Sequence, residues 1–154
     1  MTQNVTQRRG ETGAAPRPLA QRKADVLAKL DSERNGWLST GGGQAHLVPL
    51  AFVWDGERMV MSTKEDSRTV RNLAENGRAR LAVGSPTDVV LVDGEISVVA
   101  ASEVAAGQYQ ELPLHPGRVP GCVYLFLTPK RVLAWRDRGE MRDKVVMADG
   151  HWLD

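Results

Sequence analysis

At 154 residues the chain has the length of one domain, enough to bury most of the surface its unfolded form exposes. Hydrophobic residues make up 42% and charged residues 25%, and the formal net charge of +1 supplies no field to draw in DNA or an anionic membrane. No apolar run reaches the roughly 18 residues that span a bilayer, and no apolar secretory core opens the sequence.

Cys122 is the single cysteine, so no intramolecular disulfide forms, which fits a reducing compartment and a cytoplasmic location. Within CVYLFL it reads as a small core side chain. His46, His115 and His151 are scattered without HxH, HExxH or CxxC spacing, so no metal site is expected.

Met1 to Pro18 is polar and broken by Gly10, Gly13, Pro16 and Pro18, and is expected to be a disordered tail with Arg8, Arg9 and Arg17 solvated. The spacing of Leu19, Lys23, Val26, Leu27 and Leu30 predicts an amphipathic helix over about residues 19–34, closed by Asn35-Gly36. GWLST reads as a first strand, GGGQ as a bend, and Ala45 to Trp54 as a longer strand. Asp55-Gly56 predicts a two-residue hairpin with both residues at positive φ, returning along RMVMST. SRTVRNLAENG predicts a short helix with Ser67 as N-cap and Asn76-Gly77 as its stop. RARLAVG and DVVLVDGEISVVA are two further strands, the second bent at Asp93-Gly94. Residues 102–110 read as a helix capped by Ser102, followed by a Pro- and Gly-rich loop. CVYLFLT and RVLAW are strands, and VVMADGHWL adds a small hairpin. The expectation is a mainly β single domain over residues 19–154, with six to seven antiparallel strands closed into a barrel and helices at its periphery. Closure removes the edges such a sheet otherwise exposes.

The seam STKEDSRTVRNL, Ser62 to Leu73, is the stretch richest in chemistry. Ser62 and Thr63 end a strand, where adjacent side chains point to opposite faces, so only one of them faces a given site. Ser67 and Arg68 open a helix, whose free N–H groups and positive dipole end suit phosphate or carboxylate. Arg68 adds a forked cation, Lys64 and Thr69 lie beside it, and Arg71 stands one turn on. Residue chemistry leaves two readings open: an N-cap among solvated charges, or an anion cradle. In QAHLVPLAFVW, Pro49 lacks a donor and belongs at a strand edge or bulge, where free backbone groups can meet a planar ligand. No Ser/His/Asp series or carboxylate pair stands out as acid–base machinery, so no catalytic residue is assigned. A bound cofactor would have to supply any reactivity.

The ordered series of a helix, GWLST, a strand with a central Pro, a DG hairpin, ST-x-x-x-SR opening RNLAENGRARL, and VVLVDGEISVV resembles the pyridoxamine 5′-phosphate oxidase-like split β-barrel superfamily, particularly its flavin/deazaflavin-dependent oxidoreductases. The likeness is strong over about Leu30 to Val99 and weaker through RVLAWRDRGEMRDKVVMADGHWL. It implies an FMN-binding split barrel that forms a homodimer, with FMN or coenzyme F420 in a groove between subunits. The cofactor phosphate would fall to Ser62, Thr63, Ser67 and Arg68, with Thr69 beside them. The strand Leu47, Val48, Pro49, Leu50 to Phe52 would line the flavin ring. Trp135 and Lys144 match a tryptophan and a basic cofactor contact. Vitamin B6 oxidases carry cations where this chain has Leu47, Phe52, Thr69 and Glu140, so pyridoxamine 5′-phosphate oxidase activity is not expected.

The resemblance therefore implies an oxidoreductase moving a hydride between reduced F420 or FMN and a small apolar or aromatic substrate. Leu47, Leu50, Phe52 and Trp135 would wall the pocket, and F420 is slightly favoured. A non-catalytic carrier or sensor of a flavin-type molecule is the alternative, because fold does not fix function. A nucleic-acid or membrane partner is disfavoured by the charge. His46 points away from Leu47 and is read as a packing or surface residue.

Overall fold

A computed structural model describes residues 15–42 and 44–154, so the expectation for the first fourteen, Arg8 and Arg9 included, lies outside the described residues. Helix α1 (Leu19–Ser32) buries Arg22, Val26 and Leu30 on one face. It ends two residues before the expected stop, because Glu33 turns extended while its N–H still reaches Lys29 O at 2.9 Å. Asn35-Gly36 does not cap it but starts strand β1 (Asn35–Thr40). Gly36 is needed there for packing: a Cβ would meet Ala82 O and Leu81 Cδ1, each at 2.9 Å.

Strands β2 (His46–Trp54), β3 (Met59–Lys64), β4 (Arg78–Ser85), β5 (Asp88–Val99), β6 (Cys122–Trp135), β7 (Val145–Ala148) and β8 (His151–Trp152) follow, with helix α2 (Arg68–Glu75) between β3 and β4. The sheet order is β3-β2-β1-β4-β5-β6-β7-β8, and β3 also pairs with β6, so six antiparallel strands close into a barrel carrying two extra strands. The barrel's six strands fall within the expected six to seven, and the VVMADGHWL segment adds the expected small hairpin as β7 and β8. CVYLFLT and RVLAW merge into one strand through Pro129, opposite the register shift at Asp93/Gly94. A side chain at Gly94 would run into the Thr128 carbonyl, which explains glycine at the expected bend.

Alternate residues fill the barrel, among them Leu38, Phe52, Met59, Met61, Leu81 and Leu127, all buried. Val26 and Leu30 of α1 and Leu73 of α2 join the same core. Asn72 Nδ2 donates to Thr40 Oγ1 inside, at 3.3 Å.

Three local expectations need correction. The β2–β3 turn centres on Gly56-Glu57: only Gly56 has positive φ, and the Asp55 carboxylate accepts from the N–H groups of Glu57 (2.9 Å) and Arg58 (2.5 Å). Positive φ at both residues occurs instead at Asp149-Gly150, in the β7–β8 hairpin. The helix expected over 102–110 is a single 3-10 turn, Ala101–Glu103, preceded by Ala100 rather than capped by Ser102. Gly107 and Tyr109, both at positive φ, prevent its continuation. The chain to Gly121 instead builds a second small core on the outer barrel wall, from Leu112, Val60, Tyr124 and Phe126.

Candidate functional site: a split in the barrel wall

Strand β2 pairs with β1 from His46 to Ala51, but meets β3 only at Phe52, Val53 and Trp54. Beyond Met61, β3 continues to pair with β6 and leaves β2 behind. The wall is therefore open between residues 47–51 and 62–64. The Phe52 N–H donates to Arg34 O on the β1 side (2.9 Å). Backbone groups alternate along a strand, so those of Leu47, Pro49 and Ala51 face the opening. Pro49 supplies only a carbonyl there, and its register partner Trp37 lies in a non-hydrogen-bonded position. This is the edge position its missing donor calls for.

A cleft of about 200 Å³ lies at the split, bounded by Asn35, Pro49, Leu50, Ala51, Ser62, Pro113 and Leu114. Strand alternation decides between the two hydroxyls at the end of β3. Met59 and Met61 are core residues, so Thr63 turns inward while Ser62 faces the cleft. Leu47 is the most exposed of the β2 candidates, at 60%, and stands outside the barrel with Pro49. Val48 and Leu50 pack toward the core, Leu50 still touching the cleft. Phe52, expected to wall the pocket, is buried in the barrel and offers the cleft no side chain. Asn35, Pro113 and Leu114 carry no sequence signal for the cleft; strand register and a long irregular loop bring them there.

The seam begins where β3 ends. Ser67 caps α2 as expected, its Oγ accepting from Val70 N–H at 3.2 Å, and its carbonyl accepts from Arg71 N–H at 3.1 Å. The Arg68 and Thr69 N–H groups remain as open donors at the helix start. The Thr69 side chain is buried and packs inward with Asn72 and Leu73. Lys64, Arg68 and Arg71 are exposed, and no ion pair among the described residues engages them. His46 is half-buried at the neighbouring end of β2.

Trp135 and Lys144 come together elsewhere: Lys144 Nζ lies 5.7 Å from the Trp135 ring centroid. They sit at the far end of β6, whose start, Cys122, pairs with Lys64. Cys122 and Trp135 are the two ends of a 14-residue strand, roughly 40 Å apart when measured along the chain. The turn between them, Arg138–Asp143, is organised by Glu140, which is buried. Its carboxylate accepts from Arg136 N–H (2.8 Å) and from Arg17 N–H, Nε and Nη2 (2.9, 2.8 and 2.8 Å). Hydrogen bonding from Arg17 depresses the Glu140 pKa to about 2, against the cost of burial. Arg17, expected among the solvated cations, is thus a structural ion, and its Nη1 also reaches Asp25 at 3.0 Å.

The sequence model described as pyridoxamine 5′-phosphate oxidase matches residues 23–136. The chain belongs to the pyridoxamine 5′-phosphate oxidase family. Solved structures of similar fold include General Stress Protein 26 from Bacillus anthracis str. Sterne, at 18% identity and TM-score 0.60, covering 73% of this chain and 92% of that one. A structure named F420 Reductase has 19% identity and TM-score 0.56, covering 68% and 93%. A FAD-binding protein from Mesorhizobium loti has 18% identity and TM-score 0.57, covering 71% and 89%. No curated protein sequence matches the chain. The family match takes in the split and the seam but stops before the Glu140 turn, and it begins after Arg17 and Arg22.

Proposed function

We propose that this family member is an oxidoreductase that moves a hydride between F420 or FMN and a small apolar or aromatic substrate. The observation carrying this reading is the split: an open strand edge beside a helix start with an unpaired cation. A flavin-type cofactor is a planar ring with hydrogen-bonding edges joined to a phosphate, and both halves find matching chemistry. The backbone groups of Leu47, Pro49 and Ala51 suit the ring edge. The Arg68 and Thr69 N–H groups, the Arg68 guanidinium and the Ser62 hydroxyl suit the phosphate. The F420 Reductase and FAD-binding relatives of the fold favour the same ligand class.

When bound, the cofactor supplies the two-electron chemistry. The chain's own part is to anchor the phosphate, hold the ring against β2, and exclude water with Leu47, Pro49 and Leu114. Lys64 and Arg71 are exposed cations on either side of Arg68, interrupted by the exposed Glu65 and Asp66, which gives F420, with its longer anionic tail, a slight edge over FMN. Oxidation of pyridoxamine phosphate is not proposed. Leu47 offers a substrate phosphate no charge, Phe52 and Thr69 are buried, and Glu140 is neutralised by Arg17.

Equilibrium titration with FMN and F420 separately tests this reading. Arg68→Ala should weaken whichever binds by about 10- to 100-fold, the loss expected for a charge-assisted phosphate contact. Unchanged affinity in that variant refutes the phosphate placement. Tight binding without turnover of any nitroaromatic or quinone substrate would make the protein a carrier instead.

A further inference from the structure

We propose that Arg17 and Glu140 are a positioning pair for Lys144, fastening the turn that carries its ammonium over Trp135. The inference rests on the proposed function together with the family resemblance, which implies that Trp135 and Lys144 contact the cofactor.

The turn from Arg136 to Lys144 has three anchors besides its own short-range bonds. The Glu140 carboxylate receives the Arg17 backbone N–H and two nitrogens of the Arg17 guanidinium. The Asp143 carbonyl accepts from the buried Arg22 guanidinium. The Lys144 carbonyl accepts from Ala134 N–H at 2.8 Å. Two of the three come from the segment preceding residue 23, and they are linked to each other, because Arg22 Nε donates to Arg17 O at 3.1 Å.

The geometry explains why a carboxylate stands at position 140. With four donors converging on it, the group has no capacity left for a ligand and acts as a node. Its backbone lies four residues before Lys144, and the intervening carbonyl of Asp143 is itself held. A loosened Glu140 therefore frees the arm that brings Lys144 to Trp135. Asp25 completes the arrangement by taking Arg17 Nη1 at 3.0 Å, which fixes the guanidinium against the first turns of α1. Both halves of the clamp lie outside the family-matched residues 23–136. The device thus belongs to the parts of this chain that the family pattern leaves undescribed.

Breaking a purely stabilising ion pair would lower the melting temperature and change nothing else. A positioning pair makes two further changes. The experiment uses the full chain, with Arg17→Met to keep the aliphatic stem and Glu140→Gln to keep the shape of the acceptor. The readouts are the indole N–H resonance of Trp135, assigned with Trp135→Phe, and the dissociation constants for FMN and F420. Both variants should shift or broaden the Trp135 signal. Arg17→Met should weaken cofactor binding about as much as Lys144→Ala does, roughly 5- to 30-fold. The double variant Arg17→Met/Lys144→Ala should bind no more weakly than Lys144→Ala alone. An unmoved Trp135 resonance in folded Arg17→Met and Glu140→Gln proteins, or losses that multiply in the double variant, overturns the proposal. If Lys144→Ala leaves binding unchanged, the placement of Lys144 at the cofactor fails, and the positioning role toward it fails too. The Trp135 resonance still reports whether the clamp holds the arm, so the two failures are told apart.

Discussion

The Glu140 carboxylate makes its pairing visible in the pH dependence of stability. Its folded-state pKa is depressed to about 2 from 4.5, chiefly by the Arg17 hydrogen bond. A depressed acid contributes stability that is fully present above its unfolded value and is lost as pH falls through the folded one. The window therefore runs from about pH 5 down to pH 2, and the shift corresponds to on the order of 3 kcal/mol. Asp25 and Asp88 shift in the same direction: hydrogen bonds from Arg17 and Gln21 with the charge of Arg136 at Asp25, and hydrogen bonds and charge from Lys29 and Arg136 at Asp88, outweigh the opposing effect of burial. Glu140→Gln should be less stable at pH 7 but lose less between pH 5 and pH 3 than the natural chain. Melting temperatures across that range check this, and parallel curves would show that Glu140 does not carry the acid sensitivity. At the same scale, the sequence conveys Ser67 fully, since its cap needs only the local chain. It conveys nothing of Arg17, whose partner lies 123 residues away.

Among the elements, β2 has one edge paired along β1 and the other largely open. Val48 and Leu50 direct their N–H groups into the β1 ladder, while those of Leu47 and Ala51 face the split. Amide exchange in the cofactor-free protein should be slow at Val48 and Leu50 and fast at Leu47 and Ala51. Binding of FMN or F420 should protect the latter two selectively. Equal protection of all four in the free protein would mean that the split is closed in solution. Pro49 made this edge readable in advance, because a missing donor is a local fact with a structural consequence. The extent of the opening was not readable, since it depends on β3 leaving β2 for β6 after Met61. The two DG pairs teach the same lesson. Asp55-Gly56 and Asp149-Gly150 have identical local chemistry, yet only the second takes positive φ at both residues. Strand register and the side-chain bonds of Asp55 decide between them. Residues 102–110 read as a helix from composition, but the outer β3–β6 wall needed covering, and an irregular segment supplies Leu112 and Tyr109 to it.

On the scale of the molecule, the two groups of candidate cofactor contacts lie far apart in one chain. Ser62, Ser67 and Arg68 lie near the Cys122 end of β6, while Trp135 and Lys144 are at the other end of that strand. On the proposed reading, one ligand would meet both groups where a second copy supplies one of them. The exposed outer face of β1 and β2, with Trp37 at 51% and Leu47 at 60%, is a natural surface for that copy. In a two-fold dimer each site then combines the seam of one protomer with the Trp135–Lys144 arm of its partner. This arrangement predicts complementation. Arg68→Ala and Lys144→Ala homodimers each carry two defective sites. Unfolding and reassembling an equal mixture produces heterodimers in about half the population, each with one doubly altered site and one native site. About a quarter of all sites should then regain wild-type affinity for FMN or F420, seen as a tight phase in the titration. A mixture that titrates as the plain sum of the two variants would place both groups of contacts in a single chain, and would remove the reason for a shared site.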